Sequence, residues 1–213
     1  GKINPQDFET TVQPKEIVLV LDTSGSMEDT VTLSERCTEK RNLLDYCSTH
    51  RKYGEHNKTS TKIEELKKAA KSFIETMKDV PNLKIGIVAY STISTINPYK
   101  VLGYEDRDSY NSLASSDIVA IYDSLEESLL DANDTNLTNI INSLVASGGT
   151  NIGEGMRKAM HVLRNGNTSA NKSIVLMSDG LPTFASSNKS IEPLEYGTIS
   201  GEGSGENDTA SLN

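Results

Sequence analysis

The sequence predicts an α/β fold with a doubly wound, mostly parallel sheet flanked by helices. Three runs rich in branched apolar residues, over 16–21, 83–90 and 173–177, have the composition and length of buried parallel strands. Helical patterns separate these runs, as in repeated strand–helix–strand units. Ligands of such sheets bind beyond the carboxyl ends of the strands, so a functional site is expected where a strand ends.

Length and charge narrow the class of protein. The chain has 213 residues, which suits one core, so 1–213 is predicted to form a single domain. Its formal net charge is −9, which disfavours nucleic acid and anionic membranes as partners and suits cations. No run reaches the roughly 18 apolar residues that span a bilayer, so no direct membrane insertion is expected.

Two long helices are predicted between the strands. The first begins at a capping box, Thr61 to Glu64, which is followed by an apolar stripe at helical spacing. Its members are Leu66, Ala70, Phe73, Ile74 and Met77. The second begins after Gly149–Thr150 and ends at Asn165–Gly166. Its apolar face comprises Ile152, Met156, Ala159, Met160 and Leu163. Shorter helical patterns cover 118–130 and 137–144.

Three segments do not fit the alternation of strands and helices. Residues 28–60 are predicted to be an inserted loop or arm, and 98–116 a second insertion. Residues 186–213 contain a run rich in glycine, serine and acidic residues, which predicts a flexible loop or linker.

The candidate chemistry lies directly after the first strand, in Asp22-Thr23-Ser24-Gly25-Ser26. Carboxylate and hydroxyl oxygens suit a hard cation such as Mg²⁺. Thr150 starts the second long helix, and Asp179 follows the third buried strand. Taken singly, each of these residues is equally typical of a turn or a helix cap.

Together, Asp22 to Ser26, Gly149–Thr150 and Ser178-Asp179-Gly180 resemble the metal-ion-dependent adhesion site of the von Willebrand factor type A family, the integrin I-like domains. The resemblance implies a Rossmann-like sheet with the cation at its upper edge. It also implies that Ser24, Ser26 and Thr150 are direct hydroxyl ligands. Asp22 and Asp179 would act through water or bind directly. Mg²⁺ is the expected cation, with Mn²⁺ or Ca²⁺ as alternatives.

The implied function is non-catalytic adhesion at the cell surface. A cation held by hydroxyl groups stays electrophilic and can accept an acidic group from a protein or matrix ligand; a glycan ligand is an alternative. Insertions on both sides of the site resemble the arms of Gram-positive pilus tip adhesins, which implies a location on the cell wall or pilus. The chain is expected to be truncated at its C-terminus and to belong to a larger multidomain surface protein.

Cys37 and Cys47 lie close together in the first insertion, and a disulfide between them would indicate an oxidising compartment. A competing interpretation is a zinc site that adds His50 and His56, although the spacing matches no common pattern.

Two other functions compete with adhesion. One is a metal-dependent interaction scaffold inside a larger assembly, which the cysteine pair disfavours. The other is a metal-assisted hydrolase, which would need a general base, and no histidine lies near the motif. Because the site is expected at the rim, Asp22→Ala or Ser24→Ala should abolish metal-dependent binding and leave the fold largely intact.

Overall fold

The computed structural model describes residues 12–37, 54–92, 94–96, 128–186 and 199–201. The strands are β1 (Lys15–Asp22), β2 (Thr30–Cys37), β3 (Gly54–Thr61), β4 (Leu83–Tyr90), β5 (Ser94–Ile96), β6 (Leu130–Asp131), β7 (Asn171–Met177), β8 (Phe184–Ser186) and β9 (Ile199–Gly201). The helices are α1 (Lys62–Met77), α2 (Asn136–Asn142) and α3 (Ile152–Arg164), and a short 3-10 turn covers Gly25–Glu28.

The central sheet has the strand order β5-β4-β1-β7, and β6 also pairs with β4. Strand β1 is parallel to both β4 and β7, whereas β5 and β6 run antiparallel at the two ends of β4. The predicted mostly parallel α/β sheet is therefore confirmed. All three predicted strands are present, with boundaries that differ by no more than two residues. Strand β7, however, is the last strand in the described sheet order and is largely exposed, so the prediction of a buried strand is wrong for 173–177.

Alternating residues of β1 point to opposite faces of the sheet and enter two separate cores. Leu19 and Leu21 belong to the core that packs against α1 and α2, and Val18 and Val20 belong to the core that packs against α3. All four side chains are fully buried. This period of two explains why a continuous apolar run marks a strand covered on both faces. The parallel register pairs Asp22 with Tyr90, so β1 and β4 end at the same level.

Helix α1 confirms the prediction from the capping box. Thr61 Oγ1 accepts a hydrogen bond from the backbone N–H of Glu64, at 3.4 Å. Leu66, Ala70 and Ile74 of the predicted stripe are buried, and its other two members, Phe73 and Met77, are partly buried against the same core. The helix therefore begins at a fixed point immediately after β3, so its first residue lies near the carboxyl edge of the sheet.

Helix α3 forms where it was predicted, but its buried face differs from the prediction. Met160 is 40% exposed, whereas Glu154 and Arg157 are buried and form an ion pair with a distance of 2.7 Å. Lys158 is also fully buried. Apolar periodicity predicts that charged residues of a helix face solvent. It therefore misses a helix face on which buried charges pair with each other.

Two of the segments outside the alternation contain strands that the pattern did not indicate. Within 28–60, β2 and β3 form an antiparallel hairpin in which Thr30 pairs with Thr61 and Cys37 with Gly54. Both strands are largely polar, which hides them from a search for buried runs. Within 186–213, β9 pairs with β8. Most of 187–213 lies outside the described residues, so the flexible loop or linker stays a prediction.

The remaining predictions fall mainly outside the described residues. These include the second insertion over 98–116 and nearly all of the helix predicted over 118–130, but Leu130 itself lies in β6 and not in a helix. Among the described residues, no helix has the length and apolar character needed to cross a membrane.

Candidate metal centre

The carboxyl edge of the sheet brings together the predicted motif residues from three parts of the chain. Asp22 is the last residue of β1, and Asp179 lies two residues beyond β7. The hydroxyl oxygens of Ser24 and Ser26 lie 3.2 Å apart. Ser26 Oγ donates to Asp179 Oδ1 at 3.1 Å. Oxygen atoms of the first and last motif segments are thus in direct contact.

Asp22 has its acceptor capacity largely filled by protein donors. The backbone N–H of Ser24 donates to Oδ1 at 2.9 Å, and the hydroxyls of Tyr90 and Ser178 donate to Oδ2 at 3.0 and 2.6 Å. The Asp22 side chain is fully buried. A buried carboxylate with three donors is held in one orientation, which suits action through an intervening water better than direct binding.

Tyr90 is the main support of Asp22 from the neighbouring strand β4. It is fully buried, and burial raises the pKa of Tyr90, so its hydroxyl remains protonated and acts as a donor. The backbone carbonyl of Tyr90 also accepts from the N–H and the hydroxyl of Thr23, at 2.8 and 2.9 Å. These contacts fix the turn after β1 to the end of β4.

Thr150 lies in a loop that is fastened from two sides. The backbone N–H of Gly25 donates to the carbonyl of Gly148 at 2.8 Å, which joins this loop to the serine turn. On the other side, the Thr150 N–H donates to Thr183 Oγ1 at 2.9 Å, and the Thr150 carbonyl accepts from the Thr183 N–H at 2.8 Å. Thr150 is 5% exposed, and these backbone contacts hold its loop beside the serine turn.

Asp179 is paired with a lysine that the sequence analysis did not identify. Lys62 Nζ donates to Asp179 Oδ2 at 2.6 Å and to Asp29 Oδ2 at 3.0 Å. Hydrogen bonding to Asp179 raises the pKa of Lys62, so the ammonium group stays charged. The carboxyl edge thus attracts a positive charge supplied by the chain itself.

The donor set fits a hard divalent cation. Ser24, Ser26 and Thr150 have hydroxyl oxygens with lone pairs, and Asp179 adds one carboxylate. Among the described residues, no group of three or more His, Cys, Asp or Glu side chains could hold a metal ion. A site at this edge would therefore depend on hydroxyl groups rather than on a dense cluster of carboxylates.

The structure brings the motif segments predicted from the sequence to one edge, and it corrects their expected setting. Asp22 and Ser24 are 0% and 1% exposed, so they are buried and do not lie on an open rim. Sequence reasoning missed Tyr90, Lys62 and Thr183, because only the fold brings these side chains to the motif. Ser178 stands beside Asp179 in the sequence, but its hydrogen bond to Asp22 is a tertiary contact.

The cysteine predictions lie largely outside the described residues. Cys37 is the last residue of β2, and Cys47 falls in a segment that the structure does not describe, so their disulfide stays a prediction. The same holds for the alternative zinc site, because His50 is also outside the described residues and only the backbone of His56 is inside them.

A mostly parallel sheet whose strands β1 and β4 are buried on both faces, with a hydroxyl-rich carboxyl edge, defines a class of α/β domain that suits cation binding. The family model of the von Willebrand factor type A domain matches residues 17–181. This match covers well over half of the chain, which therefore belongs to that family. None of the curated proteins matches this chain.

Solved structures with a similar fold include several pilus proteins. A single-residue variant of the PilB minor pilin from Streptococcus sanguinis is 18% identical, with a TM-score of 0.50, over 85% of this chain and 33% of that chain. The vWF domain of the type V pili tip protein Mfa5 from Porphyromonas gingivalis is 17% identical, with a TM-score of 0.48, over 83% of this chain and 41% of that chain. The pilus adhesin SpaC from Lactobacillus rhamnosus GG is 22% identical, with a TM-score of 0.49, over 84% of this chain and 17% of that chain. The aligned region spans less than half of each of these structures.

Proposed function

We propose that this domain is a non-catalytic adhesion module that binds an acidic group of a partner through a divalent cation, with Mg²⁺ as the first candidate. One observation carries the proposal: the carboxyl edge combines hydroxyl groups with one carboxylate, Asp179, whose charge is paired with Lys62. The second carboxylate, Asp22, is already engaged by three protein donors. The proposed site is therefore poor in negative charge.

The hydroxyl groups of Ser24, Ser26 and Thr150, with Asp179, would hold the cation, and Asp22 would act through water. When bound, the cation would supply a Lewis-acidic position that accepts a carboxylate oxygen. Serine and threonine hydroxyls bring no formal charge, so they leave much of the positive charge available to the partner. A site made of several carboxylates would neutralise the cation and attract an acidic partner poorly.

The inserted hairpin formed by β2 and β3 is proposed to contribute to specificity. It leaves the domain directly after the 3-10 turn and returns at Thr61, so its base lies beside the serine turn. Loops and arms placed by a rigid scaffold often carry binding surfaces. We propose a protein or matrix ligand for this surface, with a glycan as the alternative.

The proposed setting is the cell wall or a pilus, within a larger multidomain surface protein. Family membership is compatible with an adhesive role. Mfa5 is named as a pili tip protein and SpaC as a pilus adhesin, and both have this fold. A non-catalytic role is supported by the side chains at the edge, because Asp22 and Asp179 are both engaged by protein donors and neither is placed as a free general base.

Calorimetric titration with Mg²⁺, Mn²⁺ and Ca²⁺ tests the metal site. We expect saturable binding by the native chain that is lost in Asp179→Ala. The matched control is Asp131→Ala, which removes an exposed carboxylate from the other end of the sheet, where it pairs with Lys84. Equal binding by native chain and Asp179→Ala would show that the cation binds elsewhere.

A second experiment tests adhesion itself. Immobilised collagen, fibronectin and a glycan array would be probed with the native chain in Mg²⁺ and in EDTA, and with Asp179→Ala in Mg²⁺. Binding to a protein should be lost in EDTA, in the variant, and when carboxyl groups of the immobilised protein are amidated. Binding that survives amidation would contradict recognition of an acidic group.

A further inference from the structure

Lys62 occupies an unusual position between the metal centre and the inserted hairpin. It is the first residue of α1, and its backbone N–H donates to the carbonyl of Asp29 at 3.0 Å. Asp29 directly precedes β2, so Lys62 and Asp29 close the base of the hairpin. The Lys62 ammonium then reaches Asp179, which lies beyond β7. The Lys62 side chain thus joins the inserted hairpin to Asp179, a proposed metal ligand.

The ion pair between Lys62 and Asp179 differs from the other lysine pairs of α1. Lys67, Lys68 and Lys78 each pair with a glutamate three residues earlier on the same helix or at its end. Lys62 instead contacts a residue 117 positions away. The Lys62 side chain is 28% exposed and that of Asp179 13%. A partly buried pair is screened less by salt than a pair on the open surface.

Both oxygen atoms of Asp179 are engaged within the protein. Oδ1 accepts from Ser26, and Oδ2 accepts from Lys62 at 2.6 Å. A divalent cation at Ser24, Ser26 and Asp179 would therefore meet a fixed positive charge on one of its own ligands. Like charges at such short range repel, and the partial burial of Lys62 and Asp179 weakens the screening between them.

We propose that Lys62 is an internal competitor of the divalent cation, which lowers the metal affinity of this site and couples it to the base of the inserted hairpin. The inference rests on the proposed metal-dependent function. In the metal-free protein the ammonium neutralises Asp179. Metal binding requires Asp179 to share or release that ammonium, and Lys62 then remains paired with Asp29 at the hairpin base.

Calorimetry on the metal-free protein at fixed ionic strength tests the competition. Lys62→Met should bind Mg²⁺ roughly tenfold more tightly than the native chain, because a neighbouring positive charge has been removed. Lys62→Arg retains the charge, and its affinity should stay within about threefold of native. Lys68→Met is the matched control: it removes one lysine from the same helix at a distance from the site, and should change affinity less than about twofold.

Thermal unfolding provides a readout that does not depend on the titration. In EDTA, Lys62→Met should melt at a lower temperature than Lys68→Met, because Asp179 has lost its counter-charge. Saturating Mg²⁺ should raise the melting temperature of Lys62→Met by more than it raises that of the native chain. Lys62→Gln, which keeps a polar side chain, should behave like Lys62→Met and separates charge from packing.

The possible results distinguish this inference from the proposed function. If the native chain binds Mg²⁺ and Lys62→Met binds it equally well, the competition is wrong and the metal site stands. If Lys62→Met and Lys62→Gln bind Mg²⁺ and neither the native chain nor Lys62→Arg does, the competition is supported, and the metal-dependent function of the native chain is wrong. If neither the native chain nor the variants bind, both proposals fail.

Discussion

The two ends of β1 each bury a carboxylate, and their surroundings differ in one respect. At the carboxyl end, Asp22 is surrounded by the hydroxyl groups of Tyr90 and Ser178 and by one backbone N–H. At the amino end, Glu16 is 2% exposed, and its Oε1 accepts from the backbone N–H of Asn167 at 2.7 Å. Lys172 Nζ lies 3.8 Å from its Oε2.

The difference lies in the lone pairs near each carboxylate. Hydroxyl groups donate to a carboxylate and retain lone pairs for another partner, whereas amide N–H and ammonium groups only donate. The two donors to the Glu16 carboxylate fasten a loop and offer no lone pair to a cation. A buried carboxylate therefore does not by itself make a metal site; the oxygen atoms around it decide whether it can take part in one.

The substitution with the largest expected effect on stability and Mg²⁺ binding is Asp22→Ala. Asp22→Ala leaves three donors without their acceptor, two of them on the buried residues Ser24 and Tyr90, so we expect the free energy of unfolding to fall by about 3 kcal/mol. Saturable Mg²⁺ binding should also be lost. Urea denaturation and calorimetry measure the two effects, with Asp131→Ala as the exposed control. Unchanged stability would mean that these hydrogen bonds are replaced by water at no cost.

The next effect is at the amino end, where Gly166 packs against Glu16. A Cβ atom on Gly166 would lie 2.3 Å from Glu16 Oε2, so Gly166→Ala should lower the free energy of unfolding by about 2 kcal/mol. Mg²⁺ affinity should not change, because this end holds no metal ligand.

The same contact can be separated from backbone effects by a double-mutant cycle. In a Glu16→Ala background, Gly166→Ala should cost much less, because the clashing carboxylate is absent. Equal costs in both backgrounds would show that the carboxylate moves aside freely.

The smallest effect is expected for Tyr90→Phe, which removes one of the two hydroxyl donors to Asp22 Oδ2 and leaves Ser178 in place. We expect a loss of about 1 kcal/mol in the free energy of unfolding and a Mg²⁺ affinity a few-fold weaker. The matched control is Phe73→Leu, a conservative change in a partly buried residue of α1. A complete loss of metal binding would instead make Tyr90 essential to the site.

Much of the fold and of the site follows from patterns that are local in the sequence. The β1 and β4 runs are apolar on both faces, and the motif residues follow strands directly. Lys62 could not be predicted in the same way, since its partner is 117 residues away and any lysine at the start of a helix looks solvent-exposed. The polar hairpin of β2 and β3 and the buried charges of α3 escaped for a related reason: hydrophobic periodicity does not register polar groups that satisfy one another.

The hydrogen bonds between Thr150 and Thr183 have a consequence for protein engineering. Thr183 and Phe184 both donate to the Thr150 carbonyl, so the chain just beyond Asp179 also holds the loop that starts α3. The five motif residues are therefore not a portable unit. Transplanting this cation site onto another parallel sheet would require the segment through Phe184 and a buried tyrosine on the neighbouring strand. A graft of the five motif residues alone would leave Thr150 and Asp22 without their supports.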